Sequence, residues 1–228
     1  MTSSYMRWTA ALAAALALAA CGGAHRQEAV VSPQPQPAGQ TDIAAIAKAK
    51  ADSARYPFTE ADVNFMSGMI SHHAQAIVMS GWAPSHEAGA SVSRLAERII
   101  NAQQDEIATM QRWLRDRGQP VPEARATGMK MKMNGVEHEM LMPGMLTEDQ
   151  MRQLDQAKGP EFDRLFLTFM IQHHRGAVSM VRDLFGSRGA GQDETVFKFA
   201  NDVSVDQSTE IARMEKMLAA SGAGAGSR

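Results

Sequence analysis

The sequence predicts an all-α fold, a four-helix bundle built from two copies of one helical hairpin. One pattern, Asp-x-x-Phe-x-x-x-Met-Ile-x-His-His, occurs from Asp62 to His73 and again from Asp163 to His174. A second pattern, Gln-x-x-Glu-Ile-Ala-x-Met-x-x-x-Leu, follows each copy, starting at Gln103 and at Gln207. In both patterns the apolar residues recur at the spacing of one helix face. The repeated unit is therefore a pair of helices, and no segment alternates cleanly enough to predict a strand.

Capping and helix-breaking residues predict where each helix begins and ends. Thr59 is a candidate N-cap for the first helix, and Asp62, three positions later, completes a capping box. The third helix is predicted to start at Gly159-Pro160, since proline suits the first helical turn. The four helices are predicted from Thr59 to Gly81, from about Val92 to Arg115, from Gly159 to about Gly186, and from about Asp193 to Ala220.

The connection between the second and third helices is long, about forty residues, whereas the other two connections are short. A single long crossover is the ferritin-like arrangement. The run from Thr147 to Gln150 has a capping-box pattern and predicts a short helix within this connection. An up-down-up-down bundle therefore stays open as an alternative topology.

Residues 1–20 are predicted to be a secretory signal peptide. Arg7 precedes an apolar run from Ala10 to Ala20 that is too short to span a bilayer. The run ends in Leu-Ala-Ala-Cys, which resembles a bacterial lipobox, and this resemblance implies lipidation of Cys21. Gly22 follows the cysteine, so an inner-membrane retention signal is not recognised. The outer membrane, facing the periplasm, is therefore the favoured location if the cell has one.

The remaining chain is predicted to divide into a tether, a bundle and a tail. Residues 21–57 include Ser-Pro-Gln-Pro-Gln-Pro and are predicted to form a mostly disordered tether. Residues 58–220 form the bundle domain, and residues 221–228 a disordered tail. The 228 residues carry a net charge of -2 and no cluster of lysine and arginine. Nucleic acid is therefore excluded as a partner, because its binding requires phosphate neutralisation.

The two histidine pairs are expected to meet in a polar layer at the centre of the bundle. The glutamine and glutamate of the second pattern lie on the matching faces of the other two helices. Burying such groups without partners would cost about 2 kcal/mol or more each. The layer is therefore either a closed hydrogen-bond network or a metal site with histidine ligands that the other residues orient. Its predicted members are His72, His73, His173 and His174 as ligands, with Gln103, Glu106, Gln207 and Glu210 behind them.

The crossover carries a concentration of soft metal donors. Imidazole and thioether side chains suit copper-like ions, and thioethers favour Cu(I). The chain has a single cysteine, at the predicted lipidation site, so thiolates are not expected to supply ligands. No helical or strand period is expected to organise these donors, and a hydrophobic lid on the bundle end is the alternative interpretation. The predicted ligands in this segment are Met129, Met131, Met133, His138, Met140, Met142 and Met145.

Taken together, the motifs Met-Ile-x-His-His, Gln-x-x-Glu-Ile-x-x-Met and Met142-Pro-Gly-Met145-Leu-Thr resemble the family known as domain of unknown function 305. The resemblance extends from about Phe58 to Leu218. It implies a secreted or membrane-anchored bacterial protein of ferritin-like fold, and some members of the family bind copper. It also implies metal binding at the four histidines together with Met69 and Met170.

These features predict an extracytoplasmic copper-binding lipoprotein that sequesters or delivers copper. Its expected partners are the membrane, through a lipid at Cys21, the metal ion, and a copper-exchange protein. One alternative is a metal-free envelope module whose buried histidine and glutamate network fixes the bundle, and whose crossover docks a partner protein. Another is a di-iron or di-manganese oxidase, which needs Glu-x-x-His pairs that this sequence lacks. No catalytic residue is predicted.

Overall fold

A computed structural model describes residues 57–133 and 136–225, and, before them, positions 43, 47, 48 and 51. The predicted signal peptide, the lipidation site at Cys21 and most of the predicted tether lie outside these residues, as do residues 226–228. The described chain contains five named helices and two short strands. Within it, no helix combines the length and the apolar character needed to cross a membrane.

The first hairpin consists of α1, Glu60–Gly81, and α2, Ala90–Asp116. Thr59 caps α1: its hydroxyl accepts a hydrogen bond from the Asp62 backbone N–H, and the Asp62 carboxylate accepts one from the Thr59 backbone N–H. The same carboxylate accepts from the Gly191 backbone N–H at 2.7 Å. The predicted capping box is therefore confirmed, and it also ties the start of α1 to the loop before the last helix.

The second half contains a short helix, α3, Glu148–Gln156, followed by the hairpin of α4, Gly159–Gly186, and α5, Glu194–Ala225. Helix α3 begins at the predicted capping box. Asp163 repeats the role of Asp62, because its carboxylate accepts from the backbone N–H of Gly89, directly before α2, at 3.0 Å. Helix α5 continues past the predicted end at Ala220.

Two apolar clusters, one at each end of the bundle, show how the helices run. The first joins the beginnings of α1 and α5 with the ends of α2 and α4, and the second joins the opposite ends. Helices α2 and α4 are therefore parallel, and the chain between them returns along the bundle. This is the ferritin-like topology, not the up-down-up-down alternative. The first cluster includes Phe65, Met110, Met180 and Phe199, and the second includes Met79, Leu95, Phe166 and Met214.

The crossover contains an antiparallel two-stranded ribbon, formed by β1, Met129–Met133, and β2, Val136–Met140. Here the structure differs from the expectation that no strand period organises this segment. The run Met-Lys-Met-Lys-Met alternates with the period of two that a strand requires. Asn134-Gly135, between the strands, is a favoured sequence for a two-residue hairpin connection. The all-α class of the bundle is unchanged, because the ribbon adds no strand to its core.

Candidate metal centre

The four histidines of the repeated pattern lie in a buried layer between the two apolar clusters. None of their surface is accessible to solvent. One pair lies near the middle of α1 and the other near the middle of α4. Since the two helices pack antiparallel, their middles lie at the same level of the bundle, and the two pairs meet there. The layer predicted from the duplicated pattern is therefore present, and it contains His72, His73, His173 and His174.

The second histidine of each pair is hydrogen-bonded to a glutamate on the neighbouring helix. His73 Nε2 lies 2.6 Å from Glu106 Oε2, and His174 Nε2 lies 2.8 Å from Glu210 Oε2. The two glutamates hold equivalent positions in the repeated patterns of α2 and α5. A carboxylate that accepts from a ring N–H fixes the tautomer and orientation of that imidazole. Both glutamates thus contact the second histidine of the pair on the neighbouring helix.

The first histidines of the two pairs face each other across the bundle axis. The ring centroids of His72 and His173 are 3.8 Å apart, and their planes are inclined by 38°. His72 Nε2 lies 3.1 Å from the carbonyl oxygen of Pro143, in the crossover. Since a carbonyl can only accept, this ring carries its proton on Nε2 and has a free lone pair on Nδ1. Such a neutral imidazole is a good metal ligand.

Burial keeps both facing rings neutral. Burial, together with the neighbouring His73, lowers the pKa of His72 from 6.5 to about 3. Burial likewise holds the pKa of His173 well below its usual value, with His72 and His174 adding to the effect. Proton competition with a metal cation is therefore weak at these two rings at neutral pH.

Seven buried polar atoms of this layer have no hydrogen-bond partner within the described chain. Native proteins pair the great majority of such atoms with protein, water or an ion. Imidazole nitrogen and amide oxygen together fit a metal ion with bound water, and the rings fit copper or zinc. No three His, Cys, Asp or Glu side chains in the described residues are grouped to hold an ion unaided. The seven atoms are Nδ1 of His72, His73, His173 and His174, Nε2 of His173, and Oε1 of Gln103 and Gln207.

Two helical methionines predicted as ligands flank the facing rings on opposite sides. Met69 precedes His72 by one turn and packs in the first apolar cluster, whereas Met170 precedes His173 and packs in the second. Both are fully buried. Because the helices are antiparallel, the structure does not bring these two thioethers together.

The end of the crossover brings two further methionines against the bundle. A methyl group built on Gly68 of α1 would lie 2.9 Å from Met142 Sδ. Met145 is buried, and its sulfur accepts from the Met142 backbone N–H at 3.4 Å. Met140, at the end of β2, is 43% exposed. The predicted ligands of this segment therefore range from Met140, at the surface, to Met142, which lies against Gly68, one helical turn before His72.

The remaining predicted ligands lie on the ribbon. Met129 pairs with Met140, and Met131 pairs with His138, in the antiparallel register. Met133 pairs with Val136. Strand β1 approaches α1, the helix that carries the first histidine pair. The structure therefore places the backbone of these residues on the two-stranded ribbon of the crossover.

Sequence reasoning missed the contacts that dock the crossover over the layer. The side chain of Gln75 makes two hydrogen bonds to the backbone of Leu146. Gln75 Nε2 donates to the Leu146 carbonyl oxygen at 3.0 Å, and Gln75 Oε1 accepts from the Leu146 N–H at 2.7 Å. Gly176, at the repeat position equivalent to Gln75, lies against Pro143 and Gly144. The sequence contained one sign of this docking: the repeat is broken at this position, where α1 has a glutamine and α4 has a glycine.

The fold and this layer define a class of protein: a ferritin-like bundle of two hairpins with paired histidines at its centre. The family model described as "Domain of unknown function (DUF305)" matches residues 62–218, and the chain belongs to this family. Among curated proteins there is no match.

Several solved structures resemble this chain. One is the family member from Streptomyces coelicolor, predicted to be secreted, with 29% identity and a TM-score of 0.58, covering 71% of this chain and 92% of its own. A fragment from Deinococcus radiodurans has 29% identity and a TM-score of 0.59, covering 72% and 98%. CopM in its Cu(I)-bound form has 28% identity and a TM-score of 0.51, covering 68% and 94%. CopM has also been solved bound to Cu(II) and to silver.

Proposed function

We propose that this protein binds copper outside the cytoplasm through imidazole and thioether ligands, and that it sequesters or delivers the ion. The observation that carries this proposal is the contact between the neutral, buried rings of His72 and His173. Their unpartnered nitrogens supply donors that copper accepts. The similarity to copper-bound CopM over most of both chains supports the same ion.

Cu(I) is the favoured oxidation state, because the donors next to the rings are thioethers. Met69 and Met170 lie on opposite sides of the ring pair, so one ion uses both rings and a single methionine, or two ions use one ring and one methionine each. His73 and His174 are held by Glu106 and Glu210, and they join the ligand set through Nδ1. Gln103 and Gln207 complete the surroundings of the ion.

The proposed location follows from the N-terminal sequence. Residues 1–20 direct export, Cys21 carries a lipid, and residues 21–57 connect the lipid to the bundle of residues 58–220. Such a tether holds the bundle at a membrane surface while leaving it free to meet a copper-exchange protein. In a cell with two membranes, the outer membrane facing the periplasm is the proposed site.

The test is a Cu(I) titration of the full chain carrying Cys21→Ser, in competition with a chromogenic chelator. A second series uses methionine-to-leucine changes, which keep volume and remove sulfur. We expect Met69→Leu with Met170→Leu to weaken Cu(I) binding about tenfold or more. Met110→Leu with Met214→Leu is the matched control, since these methionines are equally buried but belong to the second and fourth long helices. A chain that cannot compete with the chelator at all does not have this function.

A metal-free module is the second candidate, and the completed hydrogen bonds His73–Glu106 and His174–Glu210 favour it. In that case the layer stabilises the bundle without a ligand. Copper would then leave the melting temperature unchanged, whereas an ion that binds only the native state raises it. A di-iron or di-manganese oxidase has less support, since Glu106 and Glu210 do not converge with the histidines into a three-ligand group within the described chain.

A further inference from the structure

A cleft of about 210 Å³ lies between α2 and α5. The backbones of these two helices lie further apart than those of α1 and α4, so side chains close the bundle here. The glutamines and glutamates of the repeated pattern line the cleft from both helices, namely Gln103, Glu106, Gln207 and Glu210. These are the residues that lie behind the histidine pairs. The inner end of the cleft is therefore the outer side of the histidine layer.

Glu106 and Glu210 connect the cleft to the buried histidines. The two glutamate side chains are 20% and 15% exposed, whereas the rings of His73 and His174 have no exposed surface. In each glutamate, one carboxylate oxygen, Oε2, contacts the nitrogen of the ring. Each carboxylate thus lies between the solvent in the cleft and one imidazole.

Two amide oxygens at the inner end of the cleft have no hydrogen-bond partner within the described chain. They are Oε1 of Gln103 and Oε1 of Gln207, two residues that line the cleft and are almost fully buried. Native proteins pair such atoms with protein, water or an ion. A hydrated cation in the cleft supplies this partner, because its water molecules donate hydrogen bonds. The cleft therefore has acceptors for the water shell of a cation as well as carboxylates for its charge.

Three carboxylates and one guanidinium line the cleft, so its net charge is negative. Asp206 is exposed at the mouth, and burial, followed by the nearby Glu106, Asp202 and Glu210, raises its pKa. The carboxylates of the two helices therefore act on one another across the cleft. The guanidinium belongs to Arg98, which is exposed and lies 3.9 Å from Glu210 Oε1. A cleft lined mostly by one sign of charge concentrates counter-ions and raises their association rate.

The acidic surface continues beyond the mouth. A wider hollow of about 440 Å³ shares Glu106 and Asp206 with the cleft. Five carboxylates and two lysines line this hollow, so its net charge is negative as well. The lysines are paired within it, Lys48 with Glu194 and Lys198 with Asp202. A cation that approaches this side of the bundle thus meets negative charge before it reaches the cleft.

We propose that the cleft between α2 and α5 is the route by which the cation enters the histidine layer, and that Glu106 and Glu210 receive it before the rings do. This inference rests on the proposed copper function and adds how the ion reaches its ligands. Carboxylate oxygen attracts Cu(I) by charge but binds it poorly, whereas imidazole and thioether bind it well. Passage requires such groups, which admit an ion and then release it. Entry is a ligand exchange: the ion keeps its charge, a neutral ligand such as water leaves, and ring nitrogen takes its place.

Two single-charge changes at the mouth should alter the entry rate in opposite directions. In the full chain with Cys21→Ser, we expect Asp206→Asn to slow Cu(I) association about threefold or more and Arg98→Gln to speed it by a similar factor, since a cleft of one charge raises association rates by about 10- to 1,000-fold in total. Asp183→Asn, which removes the same charge from α4 outside the cleft, is the control. Cu(I) supplied as its acetonitrile complex is mixed with the chain for set times, and a chromogenic chelator then measures the ion that is still free.

A bulky side chain tests the route independently of charge. Ala102 is exposed and lines the cleft from α2, so Ala102→Phe should obstruct it. We expect Cu(I) association and release to slow by the same factor, about tenfold or more, because an obstruction raises the barrier and leaves both end states unchanged. The dissociation constant should therefore stay that of the parent. Ala108→Phe, exposed on the same helix outside the cleft, is the matched control. Release is measured by transfer of the ion from the loaded chain to excess chelator.

The outcomes separate the route from the proposed function. If the parent binds Cu(I) and both Asp206→Asn and Ala102→Phe take it up at the parent rate, the ion enters elsewhere and the inference is wrong. If Asp206→Asn weakens the dissociation constant about tenfold while the association rate is unchanged, Asp206 is a ligand and the inference is also wrong. If the parent binds no Cu(I), the proposed function itself has failed, and the inference fails with it.

Discussion

Pro143 lies directly on Gly176: a methyl group built on the glycine would come within 1.9 Å of the Pro143 carbonyl oxygen. The same oxygen accepts the hydrogen bond from His72 Nε2 at 3.1 Å. Gly144, with φ of 79°, lies against the backbone of α4 at the same place. The missing side chain on α4 is thus what lets the crossover reach the histidine layer and fix the tautomer of His72.

Gly176→Ala should therefore push the crossover off the bundle. Overpacking of this kind costs about 1–3 kcal/mol, which exceeds the gain of up to about 1 kcal/mol from replacing glycine in a helix. We expect a lower urea midpoint and a shifted ring signal of His72 in a histidine-labelled sample. Gly186→Ala is the control, because a methyl group there meets nothing within 4 Å. Equal stability of the two variants would show that the loop contact contributes nothing.

The hydrogen bond between His174 and Glu210 should be a measurable part of the stability of the metal-free bundle. Glu210→Ala leaves a fully buried ring nitrogen without its acceptor, at a cost of about 1–3 kcal/mol. Glu215→Ala, five residues further along α5, removes only the exposed pair with Arg175 and should cost less than about 0.5 kcal/mol. Urea unfolding of both variants in the presence of a metal chelator measures the difference between their free energies of unfolding. No difference would mean that His174 and Glu210 are not hydrogen-bonded in solution.

Much of the bundle was predictable because its signals are local. The capping residues Thr59 and Thr147 lie next to the helices that they start. The histidines and glutamates lie within patterns whose apolar residues recur at the spacing of one helix face. The duplication then predicted that the pairs would meet, since equal positions on antiparallel helices face each other at the middle. The sequence alone did not decide whether α2 and α4 are parallel, because the crossover is long enough for the ferritin-like and for the up-down-up-down topology. The structure shows that they are parallel.

What the sequence did not reveal depends on contacts between distant residues. The ribbon was hidden because lysine is depleted in strands, although Asn134-Gly135 and the alternation of methionine with lysine were both visible. The docking of Pro143 on Gly176 has no local signal apart from the break in the repeat. Asp193 was predicted only as the start of the last helix, whose first backbone N–H groups it accepts from. Its bonds to Trp113 and Arg117 come from another helix and had no local signal.

Asp193 should be one of the most sensitive positions for stability outside the histidine layer. It is fully buried and accepts hydrogen bonds from Trp113 Nε1 at 3.0 Å and from the Arg117 guanidinium at 2.5 Å, joining the end of α2 to the start of α5. Asp193→Ala leaves a buried guanidinium unpaired and should cost about 3–5 kcal/mol. Asp202→Ala, which removes the exposed pair with Lys198 on α5, is the control. Thermal melting of both variants makes the comparison.

The metal-free protein should lose stability as the pH falls below about 6.5. His72, with its pKa lowered to about 3, and His173, lowered well below 6.5, both bind a proton in the unfolded chain before they bind one in the bundle. The unfolded state therefore holds more protons in this range, so the free energy of unfolding falls as acid is added. Each ring contributes a slope of up to about 1.4 kcal/mol per pH unit. Urea unfolding between pH 7 and about 4, in the presence of a chelator, measures it.

The variant His173→Leu separates this effect from the general acid sensitivity of the carboxylates. It removes one of the two buried rings and keeps an apolar side chain in the layer, so the slope between pH 6.5 and about 4 should fall by up to about 1.4 kcal/mol per pH unit. The stability at pH 7 can change in either direction without affecting this result, since only the slope reports proton binding. A variant with the slope of the parent would mean that His173 is protonated as easily in the bundle as in the unfolded chain. Its ring would then have to be solvated in solution, and the same measurement on His72→Leu would show whether both rings are.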